Sequence, residues 1–462
     1  MEQKIINLIK DALQNLNIEM SAISLEHPAD LNMGDYSTNV AMAIAKSIQM
    51  NPKDLADKIT TEMLRLNIDK SIERIEVAGP GFINFYLSRE FFAHSVEEIL
   101  NQGENVGKNE NLLGQKIMVE YTDPNPFKPF HIGHLMTNTI GESVATILEH
   151  SGAAVSRANY QGDVGLHVAK AIYGLLKNEN LQDKSGTHTD QAGRIGTAYV
   201  LGAGAYEDDA NAKVEIDEIN KKLYEKTDAN INAIYDWGFE ATMNAFEDLY
   251  KILGTKFEYY FLESQMAPTG EKIVRANLGD IFTESDGAIV FKAEEHHKEG
   301  EPKLHTRVFI TSKGLPTYET KELGLTESKF ETLPDMNLSI VITANEQLEY
   351  MRVVSKALSL IHSEYESKMK HITHGMMRLT SGKMSSRKGN IVTGESLLRD
   401  TIALVGEKIK DREWDEDKKE FVSKVVGVAA LKYSILKQST GGDITYDFEK
   451  SISFEGDSGP YL

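Results

Sequence analysis

Ile117, Val119 and Tyr121 alternate along a short stretch that runs through a loop into Lys128-Pro129-Phe130-His131-Ile132-Gly133-His134, and Ile140, Val144 and Leu148 then fall on one helical stripe. A period of two giving way to a period of 3.6 predicts strand, loop and helix in succession. Repeated, that unit builds a parallel α/β sheet. The helix start has a chemical consequence: its unpaired backbone N–H groups and positive dipole end favour an anion. His131 and His134 are one turn apart, so both imidazoles face that position, and Gly133 leaves room for close approach. In isolation, His-x-Gly-His is read as a capped helix start.

A second segment far along the chain changes the balance. Lys383-Met384-Ser385-Ser386-Arg387-Lys388-Gly389-Asn390 is a Gly-, Ser- and Lys-rich loop, suited to an arm over a triphosphate, and its lysines can neutralise a leaving pyrophosphate. Alone it would be a solvated turn. Together, and in this order, the two segments point to the phosphates of ATP.

The surrounding pattern from residue 109 onward is strand followed by helix, as in a doubly wound, Rossmann-like parallel sheet. Ser339-Ile340-Val341-Ile342-Thr343 has the consecutive apolar residues of a buried parallel strand, followed by a helix with Met351, Val354, Leu358 and Ile361. The polar stretch 178–194 and a long helix with Phe239, Met243, Phe246, Tyr250 and Leu253, closed by Gly254, read as an insertion of about 178–260. A hairpin is expected from 287–292 with 306–312. His296, His297 and His305 in its loop lack ligand-like spacing among their acidic and lysine neighbours and are read as exposed. Phe421, Val425, Val428 and Ile435 mark a further helix in a segment 401–462.

Residues 1–108 read as a separate small α/β domain. Ile5, Ile9, Leu13 and Leu16 form one stripe, and an Ala-rich helix is expected over 40–48. After Gly79-Pro80-Gly81, alternation places Ile83, Phe85 and Leu87 on one face and Phe82, Asn84 and Tyr86 on the other. The second set joins aromatics to an amide and can stack and hydrogen-bond an unpaired base, although a half-buried sheet face is the plainer reading.

Composition excludes several classes of function. The chain has 462 residues and no cysteine, which removes disulfides, thiolate metal sites and a cysteine nucleophile. No dedicated metal site is marked. No apolar run is long enough for a membrane span, and Met1-Glu2-Gln3-Lys4 begins an amphipathic helix rather than a signal peptide, so a cytoplasmic address and no membrane partner are expected. With 50 Lys plus Arg against 70 Asp plus Glu, the net charge of −20 repels nucleic acid except at local basic patches.

The two signature segments, in this order, resemble those of class I aminoacyl-tRNA synthetases, and the flanking residues narrow the resemblance to the arginyl-tRNA synthetases. It covers nearly the whole chain and implies a ligase that activates L-arginine with ATP, accompanied by Mg2+, and transfers it to arginine tRNA, with a monomer expected. It implies that His131, Gly133 and His134, with Lys383, Met384, Ser385 and Ser386, bind ATP, and that Lys128, His131, His134 and Lys383 are catalytic. Class I synthetases usually carry a lysine where this chain has Ser386, and many arginyl-tRNA synthetases lack it; the resemblance assigns compensation to Lys128, and Lys388 is a second lysine placed to substitute.

The resemblance also assigns arginine recognition. Tyr318 and Glu322, one turn apart if their segment is helical, match the pair that grips the guanidinium, with Glu322 where aspartate is commoner. Glu120 and Asn125 match residues at the α-amino and carboxylate ends, His134 borders the same site, and Gln347 matches a glutamine lining the pocket. Phe82 and Asn84 match the stretch that meets the D-loop corner of tRNA. Family members continue past Leu462 into a helical anticodon-binding domain, which is expected to be absent from this chain. Two rivals remain at this point: a nucleotidylyltransferase with His-x-Gly-His, and a non-catalytic, synthetase-like binding protein.

Overall fold

A computed structural model describes residues 1–19, 22–297, 300, 302–379, 393–439, 441–451 and 453. The chain divides between Lys108 and Asn109 into two units. In the first, α1 (Glu2–Asn15) buries Ile5, Leu8, Ile9, Ala12 and Leu13 at helical spacing. β1 (Tyr36–Thr38) and α2 (Val40–Ala45) follow, the helix stopping short of Ile48. α3 (Pro52–Arg65) starts where the Asn51 side chain accepts the Lys53 N–H and Pro52 supplies its fixed φ. β2 (Ile72–Ala78) and β3 (Phe82–Leu87) complete an antiparallel sheet ordered β1-β3-β2. α4 (Arg89–Gln102), capped by Ser88, ends the unit.

β3 sends Ile83, Phe85 and Leu87 into the core beneath the helices, as its alternation requires. Its other face is less open than the pattern suggests. Asn84 is only 3% exposed, because β1 pairs alongside with Ser37 opposite it, and its Oδ1 accepts the Ser37 hydroxyl at 2.7 Å. Tyr86 donates to the Asn32 carbonyl at 2.9 Å beneath the Arg74 guanidinium, 3.6 Å from its ring centre. Of the residues on that face, Phe82 remains half-buried and makes none of these polar contacts.

The second unit begins with β4 (Lys116–Glu120), α5 (Ile132–His150) and β5 (Ala154–Gln161). Four helices, α6 (Leu166–Lys177), α7 (His188–Asp208), α8 (Ala210–Glu225) and α9 (Ala229–Leu253), intervene before β6 (Tyr259–Leu262). They enclose a core of their own around Val168, Ile172, Ile195, Ile216 and Ile231. After α10 (Glu263–Ala276) come β7 (Thr283–Ser285), β8 (Ala288–Phe291) and β9 (Arg307–Ile310), a small antiparallel sheet containing the expected hairpin. His296 stacks on Phe291 with ring centres 5.3 Å apart.

The chain continues through α11 (Tyr318–Thr332), β10 (Leu338–Ala344), α12 (Leu348–Ile361) and β11 (Met369–His374). β12 (Met377–Leu379) then pairs in parallel with β13 (Ile444–Tyr446), and α13 (Gly394–Ile409) and α14 (Glu416–Leu436) lie between them in sequence. Among the described residues no helix is long and apolar enough to cross a membrane.

The main sheet is ordered β11-β10-β4-β5-β6, and every pair in it is parallel. Alternate residues feed two cores. Ile117, Val119, Ile340 and Ile342 pack with α5, α9, α13 and α14, whereas Met118, Ala158 and Phe261 pack with α10, α11 and α12. Helices therefore cover both faces, the doubly wound arrangement. Because β4 has β5 on one side and β10 on the other, the strand order switches beside it, and the crevice that holds ligands in such sheets lies at its carboxyl end.

Arg157 docks α5 onto the sheet. Its guanidinium on β5 is largely buried and pairs with Glu142 at 2.9 Å and Glu149 at 2.6 Å, and Glu142 also accepts the Tyr121 hydroxyl at 2.5 Å. Removing one partner of a buried pair costs about 3–5 kcal/mol, so this network strongly resists displacement of the helix that carries His134.

Candidate active site

The loop from β4 to α5 has an unusual backbone. Thr122, Asp123 and Phe127 have φ of 79°, 47° and 66°, all in the region that favours glycine. Buried contacts hold each of them. The Thr122 hydroxyl accepts from Asn138 at 3.0 Å, the Asp123 carboxylate accepts the Tyr160 N–H at 2.7 Å, and Phe127 is fully buried against α9 with its ring stacked on Tyr235. A Cβ at Gly238 would come within 2.3 Å of Phe127.

That loop delivers His131 to the amino end of α5, where it caps the helix. The His131 Nδ1 accepts the His134 N–H at 3.3 Å, and the His134 Nδ1 accepts the His131 N–H at 3.2 Å. The rings stack with centres 3.4 Å apart, and a Cβ on Gly133 would come within 2.9 Å of the His131 ring. A nitrogen that accepts carries no proton, which assigns the proton of each neutral ring to Nε2. Burial, followed by the charges of His131 and Lys128, pushes His134 well below its usual pKa, and burial and Lys128 lower His131. The pair thus offers two neutral N–H donors. Lys128 is half-buried, its pKa lowered by burial and then by Lys170.

The carboxyl ends of the strands supply acids. Glu120, at the end of β4, is 2% exposed and forms an ion pair with Lys329 of α11, which is equally buried. Glu322, two turns earlier on α11, is pushed up to about 7 by burial and then by Glu120. One of its oxygens accepts the Tyr350 hydroxyl at 3.1 Å. Asp123 is raised well above the usual carboxylate range by burial and Glu120. Glu263, which begins α10 directly after β6, is buried, raised by burial, and paired with Lys321. Among the described residues Lys321 and Lys329, with Lys128 beside Glu263, therefore face these four carboxyls in one region.

The structure brings most of the expected site residues together. The charge of Glu120 acts on Glu322, and Gln347 precedes α12 one turn before Tyr350. Asn125 lies over Gly162, where a Cβ would meet its Oδ1 at 2.2 Å and Glu263 at 3.0 Å. Lys128 and Glu263 affect each other's protonation, so the phosphate and acid halves adjoin. Tyr318 is 70% exposed, with its ring centre 5.2 Å from the Lys321 ammonium. Lys383, Met384, Ser385, Ser386 and Lys388 lie outside the described residues. Phe82 and Asn84 belong to the first unit.

Several residues to which sequence reading assigned no role belong to this region: Lys329, Glu263, Lys321, Tyr350, Tyr160 and Asp163. Asp163 is buried and accepts the Ser264 N–H at 2.8 Å, the Ser264 hydroxyl at 2.6 Å and the Tyr235 hydroxyl at 3.3 Å, joining β5, α9 and α10.

Comparison with known families agrees with this geometry. The catalytic-domain family of class I (R) tRNA synthetases matches residues 95–448, and the arginyl tRNA synthetase N-terminal domain matches residues 3–87. This chain belongs to the class I arginyl-tRNA synthetase family. An arginine–tRNA ligase of Clostridium botulinum is 30% identical, with alignment over 100% of this chain and 79% of that one; that of Clostridium perfringens is 28% identical over 97% and 77%. The Thermus thermophilus arginyl-tRNA synthetase structure shares the fold with a TM-score of 0.72 at 21% identity, covering 99% of this chain and 79% of that one. The Plasmodium falciparum arginyl-tRNA synthetase gives 0.67 at 20% identity, over 99% and 78%. Family membership removes the nucleotidylyltransferase reading.

The capping arrangement makes a spectroscopic prediction for this synthetase. Ring-nitrogen NMR should show His131 and His134 as neutral Nε2–H tautomers at pH 7, with His134 still neutral at pH 6. A proton on Nδ1, or an imidazolium signal from His134 at pH 6, would contradict the assigned donors.

Proposed function

We propose that this chain activates arginine with ATP to form arginyl-adenylate and pyrophosphate, then transfers the arginyl group to the 3′ end of arginine tRNA. The observation that carries the arginine half is the surplus of carboxyl groups: among the described residues Glu120 and Glu263, both buried, and Asp123 and Glu322, both half-buried, face Lys321, Lys329 and, beside Glu263, Lys128, and Glu322 is held near 7. Such a region favours a cation. A guanidinium, planar and always charged, pairs with a carboxylate through two parallel N–H bonds.

In the first step the substrate carboxylate attacks the α-phosphorus of ATP, and the bond to the bridging oxygen of pyrophosphate breaks. No general base is needed, since the nucleophile is already ionised. Catalysis is positioning and charge stabilisation. His131 and His134 donate from Nε2 to phosphate oxygens at the amino end of α5, and Lys128 balances charge as pyrophosphate separates. Lys383, Ser385 and Ser386 hold the leaving group in this reading, with Met384 in the same loop. Mg2+ would accompany the triphosphate as its counterion and would help to neutralise the charge on the departing pyrophosphate. Tyr318 and Glu322 take the guanidinium, Gln347 borders it, and Glu120 and Asn125 hold the α-amino and carboxylate ends. In the second step a hydroxyl of the terminal ribose attacks the arginyl carbonyl and AMP leaves.

The neutral Nε2–H tautomers suit this chemistry. They donate to phosphate without needing to be charged, so moderate alkalinity does not remove them. The same reading makes the chain a cytoplasmic translation enzyme that acts as a monomer. Phe82 is the more accessible of its two proposed tRNA contacts, since Asn84 is already engaged by Ser37.

Two experiments test the assignment. The bound guanidinium requires ionised Glu322, so binding should release protons below about pH 7, and arginine affinity should rise as pH goes from 6 to 8. Calorimetry in buffers of different ionisation enthalpy measures both. Glu322→Gln should abolish the proton release and weaken arginine by about 2–5 kcal/mol; near-normal affinity in that variant would rule Glu322 out as the partner. For the phosphate half, Lys128→Ala should lower kcat more than it raises the KM for ATP. A pure KM effect would remove Lys128 from the transition state, and a silent Lys128→Ala beside an impaired Lys388→Ala would move the role to Lys388.

A further inference from the structure

Among the buried polar groups that the mechanism above leaves without a use, one stands amid the acids of the site. Tyr160 lies on β5 and packs against the core shared with α10, α11 and α12. Its phenolic oxygen is sealed from solvent and has no hydrogen-bond partner among the described residues. Around it, within electrostatic reach, stand Glu322, Glu263, Glu120 and the Tyr350 hydroxyl. Its own backbone is fixed, the N–H bound to Asp123 at 2.7 Å and the strand paired in register with Phe261 of β6. The ring cannot easily turn away from this acidic surround.

An unpaired buried hydroxyl is unfavourable, and a native structure that keeps one leaves it to be completed by a water, an ion or a ligand. The ligand's chemistry follows from what is missing. A phenol without a partner has oxygen lone pairs open to a donor, and an acidic surround favours a donor that carries positive charge. Tyr350 already occupies one oxygen of Glu322, so Glu322 has a second oxygen to offer an incoming donor. A guanidinium carries five N–H donors and no acceptor, more than one carboxylate can satisfy.

We propose that the Tyr160 hydroxyl is a second reader of the substrate guanidinium, accepting one N–H while the free oxygen of Glu322 accepts another; this rests on the arginine reading above. A neutral acceptor completes the hydrogen bonding without adding a further negative charge to a region already rich in them. It also sharpens selection by shape. A compact ammonium can neutralise Glu322, but it lacks the planar spread needed to meet both oxygens, so the phenol would stay unpaired with lysine.

Tyr160→Phe removes only the oxygen. The enzyme and its variant should be compared by melting temperature with and without L-arginine, by steady-state kinetics, and by inhibition with agmatine, which keeps the guanidinium and lacks the carboxylate. The free variant should melt at the same temperature or higher, since the oxygen bonds nothing there, while its stabilisation by arginine shrinks. The KM for arginine and the inhibition constant for agmatine should rise together by about 10- to 100-fold, with kcat and the KM for ATP nearly unchanged. If KM and agmatine inhibition stay at wild-type values while Glu322→Gln still loses arginine, the Tyr160 assignment falls and the arginine reading stands. If the variant loses arginine but not agmatine, Tyr160 reads the other end of the substrate and the proposal is wrong. A lower melting temperature of the free variant with unchanged KM would make the hydroxyl structural and overturn it as well.

Discussion

Lys329 is a single buried ammonium beside two carboxylates, and it can fully balance only one of them. It pairs directly with Glu120, both side chains being almost wholly removed from water. Glu322 feels the same ammonium from farther away and feels Glu120 as a like charge, so its proton is held to about 7. A buried pair of this kind returns little net stability, because desolvation consumes most of the attraction. Its consequence is functional. The residual negative potential is fixed on α11 and the end of β4, elements locked into two cores, and a cationic substrate meets it without reorganisation.

The phosphate half is held by a different means. The β4–α5 loop takes three residues into positive φ, which costs of order 1–3 kcal/mol each. Buried hydrogen bonds from Asn138 and Tyr160, and the burial of Phe127 against α9, offset that strain. What the strained path achieves is placement: His131 arrives as the cap of α5, its ring stacked on His134, and the reciprocal bonds to Nδ1 leave both Nε2–H groups as donors. The inserted helices α6–α9 contribute to this placement through Phe127 and Gly238, and Tyr199 of α7 lies under the Lys128 ammonium at 5.6 Å.

Periodicity made the framework legible. The alternation of Ile117, Val119 and Tyr121 and the stripe of Ile140, Val144 and Leu148 map onto β4, the start of the following loop, and α5, because one face of each must be apolar to pack. α11 was harder to read. Glu319, Thr320, Lys321 and Lys329 are all buried in it alongside Leu323 and Leu325, so it has no clear polar face to mark its orientation, and nothing local distinguishes Lys329 from a surface lysine. Glu263 and Tyr160 join the site only because β5 and β6 lie beside β4, a fact of strand order rather than of local sequence. Asn84 shows the opposite failure: alternation told which face it is on, but not that Ser37 of the neighbouring strand covers it.

The central claim is that uncompensated negative charge, rather than shape alone, selects the amino acid. Amino-acid-dependent ATP–pyrophosphate exchange, run with and without arginine tRNA, tests it when arginine is compared with citrulline, which has nearly the same shape but replaces the guanidinium with a neutral urea. The account predicts exchange with arginine and a rate with citrulline lower by at least about 30-fold at equal concentration, the smallest effect expected for losing a buried charge pair. Exchange with citrulline within a few-fold of arginine would contradict it.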